Sequence, residues 1–502
     1  MGDVRTHLGE MEDRVLARLK KLADEDVVGR IWDRDHTVWR DDPTEIADRL
    51  GWLDAVGRSR RELAQFRALA DEARREGLRP VVLLGMGGSS LAAEVVSSVD
   101  RAAGFTVLDT THPDAIARLE REIPPRDALF VVSSKSGTTV ETRSHMTYFL
   151  DLAKDPTHFV AITDPGTDLE ASAKEVGFRR VFHAPPDVGG RYSALTVFGL
   201  LPAILASVDV EELLGSADRA AKSCRPQTTI DENPGAVLGA AVGEATLAGR
   251  DKATLSFGDP LQPLGAWVEQ LFAESTGKDG TGILPVDGES LGPPDVYGDD
   301  RLFLTTPGVE APGPSVELSL RGPGDLGWAF FVLEFATAVA GAVIGIHPFD
   351  QPDVQSAKDR TGEVLAGGDI PPEPPGEIEE ELASVRPGDY VAIQAFVDPR
   401  GETARRLRGV RERLRDRLGV ATTLGLGPRY LHSTGQYHKG GPNTGVFLQV
   451  FEKPEEDRVV PGKDLTFGRL IAAQAAGDLA ALRERGRRAA RVRVEDLLSW
   501  EG

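Results

Sequence analysis

Two segments rich in glycine and hydroxyl residues have the composition of phosphate-binding loops. Residues 81–91 read VVLLGMGGSSL and residues 130–141 read FVVSSKSGTTVE, so each begins in an apolar strand and ends at a helix start. A helix N-terminus offers unpaired N–H groups and the positive end of a dipole to an anion. In the second segment five hydroxyl residues surround one lysine, whereas capping the helix would explain only one of them. We therefore predict a phosphate site at the second loop.

The first loop is open to three interpretations. Gly85, Gly87 and Gly88 permit a tight turn and the close approach of a ligand. A dinucleotide site would gain support from Asp109 at the end of the next strand, but Ser90 stands where that motif needs its third glycine. A phosphate contact and a plain strand-to-helix turn remain equally good alternatives for this loop alone.

A third candidate is the segment WVEQLFAESTGK at residues 267–278. Gln270 and Glu274 are four residues apart, so they share one face of a helix, whereas Glu269 falls on a different face. Three further segments contain polar groups of chemical interest: GGRYS at 189–193, HPFDQPDVQSAK at 347–358 and LHSTGQY at 431–437.

The composition excludes several classes of function. The chain has 502 residues and a formal net charge of −21, so we expect no nucleic-acid or anionic-membrane surface. Its single cysteine, Cys224, excludes an intramolecular disulfide framework and a cysteine-built metal site. No cluster of His, Asp and Glu has metal-ligand spacing, and we expect neither a metal nor a cofactor. A phosphate site would then be a locally positive exception on an acidic protein.

The pattern of short apolar strands alternating with helical segments is typical of doubly wound, parallel α/β sheets. We predict two such units in tandem, divided near Gly215. The first has strands near residues 81–84, 106–108, 128–132, 158–162 and 180–183, and the second has strands near 253–257, 302–305 and 316–320. The predicted domains are an N-terminal helical segment (1–55), two α/β domains (56–215 and 216–366) and a linker with a C-terminal α/β portion (367–502).

Three segments of the chain depart from this alternating pattern. The N-terminal 22 residues have the pattern of an amphipathic helix. Residues 328–346 are apolar over a length that could cross a bilayer, but they include Glu334 and lack flanking basic residues, which favours a buried core helix. The Pro/Glu-rich stretch 367–381 is typical of an exposed linker.

The two loops together resemble the phosphosugar-binding loops of sugar-isomerase domains, and two such units in tandem resemble the phosphoglucose isomerase family. The segments at 189–193, 267–278, 347–358 and 431–437 are similar to further motifs of that family. The usual family order places the His motif before the Gln/Lys motif. Here it follows, as in the isomerase half of fused transaldolase–isomerase proteins, which the chain resembles most. The resemblance implies a cytoplasmic, homodimeric enzyme that interconverts glucose 6-phosphate and fructose 6-phosphate.

The resemblance also implies roles for individual residues. Glu274 would move a proton between C2 and C1, Arg191 would stabilise negative charge on the enediolate, and His432 with Lys358 would open the sugar ring. His438 is the alternative to His432. Lys358 follows Gln351 by seven residues, which predicts both on one helix. The implied substrate-binding residues are Gly88, Ser89, Ser134, Lys135 (through its backbone amide), Ser136, Thr139, Gly190, Gln270 and Gln351.

Two alternatives to this function remain. An isomerase of another phosphosugar, including one that also accepts mannose 6-phosphate, would keep the loops and Glu274. A non-catalytic phosphosugar-sensing module would keep the loops but would need neither Glu274 nor His432, so their presence argues against it. We interpret His347 as structural and leave Lys278 unassigned.

Overall fold

The computed structural model of the chain describes residues 3–367 and 373–501, without the side chains of residues 356–358. The side chain of Lys358 therefore lies outside the described residues. The described strands are β1 (Val4–His7), β2 (Val81–Gly85), β3 (Phe105–Leu108), β4 (Leu129–Ser133), β5 (Phe159–Thr163), β6 (Arg180–His183), β7 (Lys252–Ser256), β8 (Leu284–Asp287), β9 (Arg301–Thr305), β10 (Ser315–Leu318), β11 (Tyr390–Phe396), β12 (Ala421–Leu426), β13 (Gly445–Phe451) and β14 (Arg488–Arg491).

Helices cover the described strands and connect them along the chain. They are α1 (Glu12–Asp24), α2 (Val27–Trp32), α3 (Ala55–Arg75), α4 (Leu91–Val99), α5 (Pro113–Glu122), α6 (Val140–Ala153), α7 (Asp168–Val176), α8 (Val197–Leu205), α9 (Val210–Ser223), α10 (Pro234–Leu247), α11 (Leu264–Thr276), α12 (Leu326–Ile344), α13 (Val354–Ala366), α14 (Ile378–Leu382), α15 (Glu402–Leu418), α16 (Gly435–Gly440), α17 (Phe467–Glu484) and α18 (Val494–Ser499).

The first sheet has the strand order β3-β2-β4-β5-β6, and all of its strands are parallel. Because the chain leaves β2 for β3 on one side and later returns to β4 on the other, the strand order reverses between β2 and β4. Loops at the carboxyl ends of two such strands form a crevice where ligands bind in doubly wound folds. The glycine-rich loop follows β2 and the hydroxyl-rich loop follows β4, so the fold brings the two candidate loops together. Ser133 Oγ donates a hydrogen bond to the Ser89 carbonyl at 2.7 Å.

The second sheet has the order β1-β10-β9-β7-β8. Strands β7 to β10 are parallel, as expected, but β1 pairs with β10 in an antiparallel sense. The expectation of a helix from the N-terminus is therefore wrong for residues 4–7, and the helix begins only at Glu12. The physical reason is a distant partner: the ladder that β1 completes on β10 is not visible in the local sequence pattern.

Helix α12 confirms the interpretation of the long apolar stretch. The segment Pro323–Ile344 is long and apolar enough to cross a membrane, yet 89% of its most apolar window is buried inside the protein. It packs against α9 and α10. A helix that is apolar all round and covered on every side belongs to a core.

The third sheet, β12-β11-β13-β14, is parallel throughout and lies in the C-terminal portion. It packs on both other units. Val460 and Phe467 join the apolar core of the first sheet, while Tyr390 and Tyr437 join a core shared with α11 and β8. The predicted linker is only partly a linker: residues 368–372 lie outside the described part, but Ile378–Leu382 forms a short helix with both terminal side chains buried.

Candidate active site

A cavity of about 250 Å³ lies beside the hydroxyl-rich loop. Its walls come from the start of α6, from α13 and from the C-terminal portion, so it joins the first α/β unit to the third. The lining residues are Ser136, Thr138, Thr139, Val140, Glu141, Val354, Thr361, Gly362, Leu365, Leu431, His432 and Gln474. Two of the predicted phosphate-binding residues, Ser136 and Thr139, thus line one cavity with the predicted ring-opening histidine, while Ser89 and Ser134 lie outside its lining.

The hydroxyl-rich loop is ordered by its own side chains. Ser134 Oγ and Thr139 Oγ1 are 3.0 Å apart, and Ser136 Oγ and Thr138 Oγ1 are 3.1 Å apart. Gly137 has a φ of +70°, which favours glycine at the tip of the turn. Rotating hydroxyls at a helix N-terminus can donate to phosphate oxygens.

Lys135 does not place its ammonium in this cavity. Its Nζ donates to both carboxylate oxygens of Asp164, at 2.9 and 2.7 Å, and to the Pro185 carbonyl at 3.3 Å. Burial lowers the pKa of Lys135, with Asp164 opposing the effect. The side chain fixes the loop to the end of β5, which leaves the backbone amide as its predicted contact. The charge of the Lys135 ammonium is therefore paired with the Asp164 carboxylate.

Gly88 touches the predicted anion-stabilising segment. A Cβ atom on Gly88 would lie 2.3 Å from both the carbonyl carbon and the oxygen of Gly190, and 2.9 Å from the Arg191 nitrogen. These distances are too short for any side chain, so glycine is required by the close approach of two backbones. The glycine-rich loop thus fixes the position of Arg191.

Arg191 is buried, with an exposed fraction of 3%, and its guanidinium is fully held. Nε donates to Ser275 Oγ at 2.7 Å, and Nη1 donates to Gln351 Oε1 at 2.7 Å. Nη2 donates to the carbonyls of Pro348 and Asp350. The structure thus brings Gln351 to Arg191, and the role of Gln351 in substrate binding stays a prediction. The expectation that Gln351 lies on a helix with Lys358 is wrong, because α13 begins only at Val354.

Glu274 lies on α11 and approaches Arg191 from the second α/β unit. Its Oε2 is 3.7 Å from Arg191 Nη1 and accepts a hydrogen bond from Gln270 Nε2 at 3.1 Å. The shared helix face of Gln270 and Glu274 is confirmed. Burial raises the pKa of Glu274, while Arg191 and His432 oppose this effect. A carboxylate with a raised pKa is a more effective general base near neutral pH.

His432 reaches the site from the third unit, on the loop after β12. Its carbonyl accepts a hydrogen bond from Gln270 Nε2 at 2.9 Å, so one amide group joins His432 to Glu274. Its Nε2 lies 2.8 Å from Glu141 Oε1. Burial would raise the pKa of Glu141, but the charge and hydrogen bond of His432 more than offset it and lower that pKa. An ionised Glu141 orients the imidazole.

His438 is placed elsewhere. It is buried among Tyr390, Tyr430 and Phe447, and its Nδ1 lies 3.2 Å from Gln394 Nε2. Burial lowers its pKa well below the usual value, so the ring is neutral. The structure therefore brings His432, and not His438, to Gln270 and Glu274.

Lys278 and His347 lie at the segment that Arg191 also binds. Lys278 Nζ donates to Asp350 Oδ1 at 2.6 Å and to the carbonyls of His347 and Asp350, and burial lowers its pKa to about 8. His347 Nδ1 accepts from the Phe349 amide, as suits a structural histidine. Lys278 and Arg191 thus hold the same segment, residues 347–351.

Sequence reasoning missed Glu141 and Gln474. Glu141 stands at the end of the hydroxyl-rich motif, where its position in the first turn of α6 was a usable signal. Gln474 lies on α17, and its Nε2 donates to Glu141 Oε1 at 2.7 Å across 333 residues of sequence. Nothing in the local sequence around Gln474 indicates that contact. Across residues 3–367 and 373–501, no group of three or more His, Cys, Asp or Glu side chains could hold a metal ion.

Residues 65–284, which contain both loops, Arg191, Gln270 and Glu274, match the sequence profile of the family described as phosphoglucose isomerase. Residues 65–284 are therefore similar to a phosphoglucose isomerase domain. The match ends before the Gln351 segment, α17 and the His432 loop.

Relatives of this domain extend over more of the chain. A glucose-6-phosphate isomerase of Rubrobacter xylanophilus is 28% identical over 387 residues, covering 63% of this chain and 89% of the relative. A glucose-6-phosphate isomerase of Carboxydothermus hydrogenoformans is 33% identical over 251 residues, covering 46% of this chain and 53% of the relative.

Solved structures agree on the fold. The crystal structure of a glucose-6-phosphate isomerase from Chlamydia trachomatis superposes with a TM-score of 0.60 at 19% identity, covering 72% of this chain and 87% of that one. This likeness confirms the predicted α/β architecture with parallel sheets.

Proposed function

We propose that the chain interconverts glucose 6-phosphate and fructose 6-phosphate by ring opening and proton transfer through a cis-enediol. The observation that carries the proposal is the single amide of Gln270, which binds both the Glu274 carboxylate and the His432 carbonyl. It brings a general base and a ring-opening group together beside the hydroxyl-lined cavity. The relatives named glucose-6-phosphate isomerase support the same reaction.

Substrate binding begins at the phosphate. Ser136, Thr138 and Thr139 line the cavity at the N-terminus of α6, which has 14 residues. Hydroxyl and amide donors at a helix start hold an anion without needing lysine side chains. This explains how a chain with a net charge of −21 can hold a phosphate.

Ring opening follows. An imidazole whose Nε2 is bound by an ionised carboxylate carries its proton there, which leaves Nδ1 free to exchange a proton with the ring oxygen or the anomeric hydroxyl. His432 with Glu141 is that pair. The resemblance adds Lys358 to this step as a proposal, from a position on α13.

The isomerisation itself needs one base and one cation. Glu274 takes the proton from C2 of the open aldose, which leaves an enediolate with its negative charge on O1. A proton passes from O2 to O1, and Glu274 then returns its proton to C1, so that C2 and O2 form the carbonyl of the ketose. Negative charge develops on O1 and O2 meanwhile. The fixed, desolvated guanidinium of Arg191 stabilises that charge, because its hydrogen bonds already hold it in place before reaction.

The direct test is a coupled assay for glucose 6-phosphate formed from fructose 6-phosphate, run without added metal. Mannose 6-phosphate in the same assay format tests the broader substrate range. Turnover of both sugars would extend the proposal to a dual isomerase. Binding of both without turnover would indicate a sensing module instead.

We also infer a cytoplasmic location and a homodimer from the family resemblance. Because Glu274, Arg191 and His432 come from one chain, we expect dilution to the monomer to leave turnover measurable. Analytical ultracentrifugation alongside the coupled assay tests this expectation.

A further inference from the structure

We propose that Gln474, oriented by Thr111, is a positioning residue that holds the Glu141 carboxylate against His432 for ring opening. The inference rests on the proposed function and extends it to α17, which lies outside residues 65–284. It gives the C-terminal portion a part in the reaction besides carrying His432.

The geometry around Gln474 is a chain of buried hydrogen bonds. Gln474 has an exposed fraction of 3%, and Thr111 is fully buried. Thr111 Oγ1 donates to Gln474 Oε1 at 2.8 Å, and Gln474 Nε2 donates to Glu141 Oε1 at 2.7 Å. Only the amide nitrogen of Gln474 can donate to an ionised carboxylate, and only its amide oxygen can accept from the threonine hydroxyl. Both contacts therefore require the same orientation of the amide.

The same carboxylate oxygen binds the catalytic imidazole. His432 Nε2 lies 2.8 Å from Glu141 Oε1, so that oxygen is placed between two donors. Both His432 and Gln474 line the cavity of about 250 Å³. Hydrogen bonds to the charged form of a carboxylate favour that form, which keeps the proton on Nε2 and leaves Nδ1 basic. His145 also faces Glu141, and burial lowers its pKa to about 4, so it is neutral.

A second contact of α17 fixes the loop that carries His432. Asp478 lies one turn after Gln474 on the same helix face, and its Oδ2 accepts a hydrogen bond from the Tyr430 hydroxyl at 2.7 Å. Its other oxygen accepts from Lys439. One face of α17 therefore holds both the His432 loop, through Asp478, and the partner of His432, through Gln474.

A purely structural role for Gln474 makes a different prediction. It would change the melting temperature but would leave the rate of ring opening per folded molecule unchanged. A positioning role predicts slower ring opening, and this step can be followed alone as the catalysed exchange between the α and β anomers of glucose 6-phosphate by NMR. Binding of 6-phosphogluconate, which has no ring to open, serves as the internal reference.

The experiment compares Gln474→Met with Gln394→Met in the full chain. Gln394 is also a fully buried glutamine, but it contacts His438 rather than His432. We expect Gln474→Met to slow anomer exchange about tenfold, because His432 would lose part of its contribution as an acid–base group. Binding of 6-phosphogluconate should be unchanged. Gln394→Met should exchange anomers at the wild-type rate. Thr111→Val, which removes only a hydroxyl, should act in the same direction as Gln474→Met with a smaller effect, and it serves if Gln474→Met does not fold.

The possible failures are distinguishable. If the wild type isomerises both sugars while Gln474→Met and Thr111→Val exchange anomers at the wild-type rate, the positioning role is wrong and the proposed function stands. If the wild type does not convert fructose 6-phosphate, the proposed function is wrong and this inference falls with it.

Discussion

Arg191 Nη1 lies 3.7 Å from Glu274 Oε2, while the Arg191 guanidinium donates its hydrogen bonds to other groups: Ser275, Gln351 and two backbone carbonyls. Arg191 therefore acts on Glu274 through its charge, at a distance and in a buried setting where charge interactions are strong. This relationship leads to the first prediction, which concerns the pH dependence of turnover.

Arg191→Gln should move the acidic limb of the pH profile to higher pH. Burial raises the pKa of Glu274 and the charge of Arg191 opposes that rise, so removing the charge raises the pKa further. Glu274 acts as a base only when it is ionised. With a higher pKa it becomes protonated at a higher pH as the solution is acidified, and turnover falls there. The measurement is the pH profile of kcat/KM for fructose 6-phosphate, recorded for the wild type and for Arg191→Gln. If the acidic limb of Arg191→Gln lies at the same pH as that of the wild type, the charge of Arg191 does not act on Glu274.

Gly88→Ala should lower kcat by about a hundredfold, the cost of displacing a reacting group by about 1 Å. The new Cβ would stand 2.3 Å from the Gly190 carbonyl and push the Arg191 segment away. Gly57→Ala on α3 is the control, since a Cβ there meets no atom within 4 Å. Equal kcat values for the two variants would show that the close approach does not position Arg191.

Thr139→Val should raise KM for both sugars by about tenfold, because a hydrogen bond to a charged group contributes about 1.5–3 kcal/mol. Thr147→Val on the same helix is the control, since its hydroxyl donates to the Arg143 carbonyl away from the cavity. Steady-state kinetics, with inorganic phosphate as a competing anion, measure the effect. A KM as low as that of the control would remove Thr139 from the phosphate site.

His432→Ala should slow anomer exchange of glucose 6-phosphate by about a hundredfold or more, the usual contribution of a positioned acid–base group. His438→Gln should lower the melting temperature but leave anomer exchange intact, because His438 is buried beside Gln394 and away from the cavity. NMR exchange measurements on both variants decide between the two histidines. Slower exchange in His438→Gln alone would reverse the assignment.

The features that sequence alone predicted are local in the chain. Both loops follow a strand–turn–helix pattern, and the Gln270–Glu274 pair follows from a four-residue spacing on one helix. Each depends on residues within a few positions of one another. The local sequence was therefore enough to place both loops and the Gln270–Glu274 pair, while the role of Glu274 as the base stays a prediction from the family resemblance.

The features that sequence did not predict depend on distant partners or on a local restriction that was overlooked. Strand β1 exists because β10 offers it an edge, and Gln474 matters because α17 packs beside α6. Gln351 lies outside α13 for a local reason: Pro352 follows it, and the residue before a proline is disfavoured in a helix. That restriction was readable in the sequence, whereas the Glu141–Gln474 contact was not.

The central claim is that Glu274 transfers the proton between C2 and C1, and Glu274→Gln tests it most directly. Glutamine keeps the size of the side chain and a carbonyl oxygen for the Gln270 hydrogen bond but removes the basic group. The coupled assay with fructose 6-phosphate should then show turnover reduced by at least about a thousandfold, within the range of general-base contributions, while 6-phosphogluconate binds as tightly as to the wild type. Turnover near the wild-type rate in Glu274→Gln would contradict the mechanism.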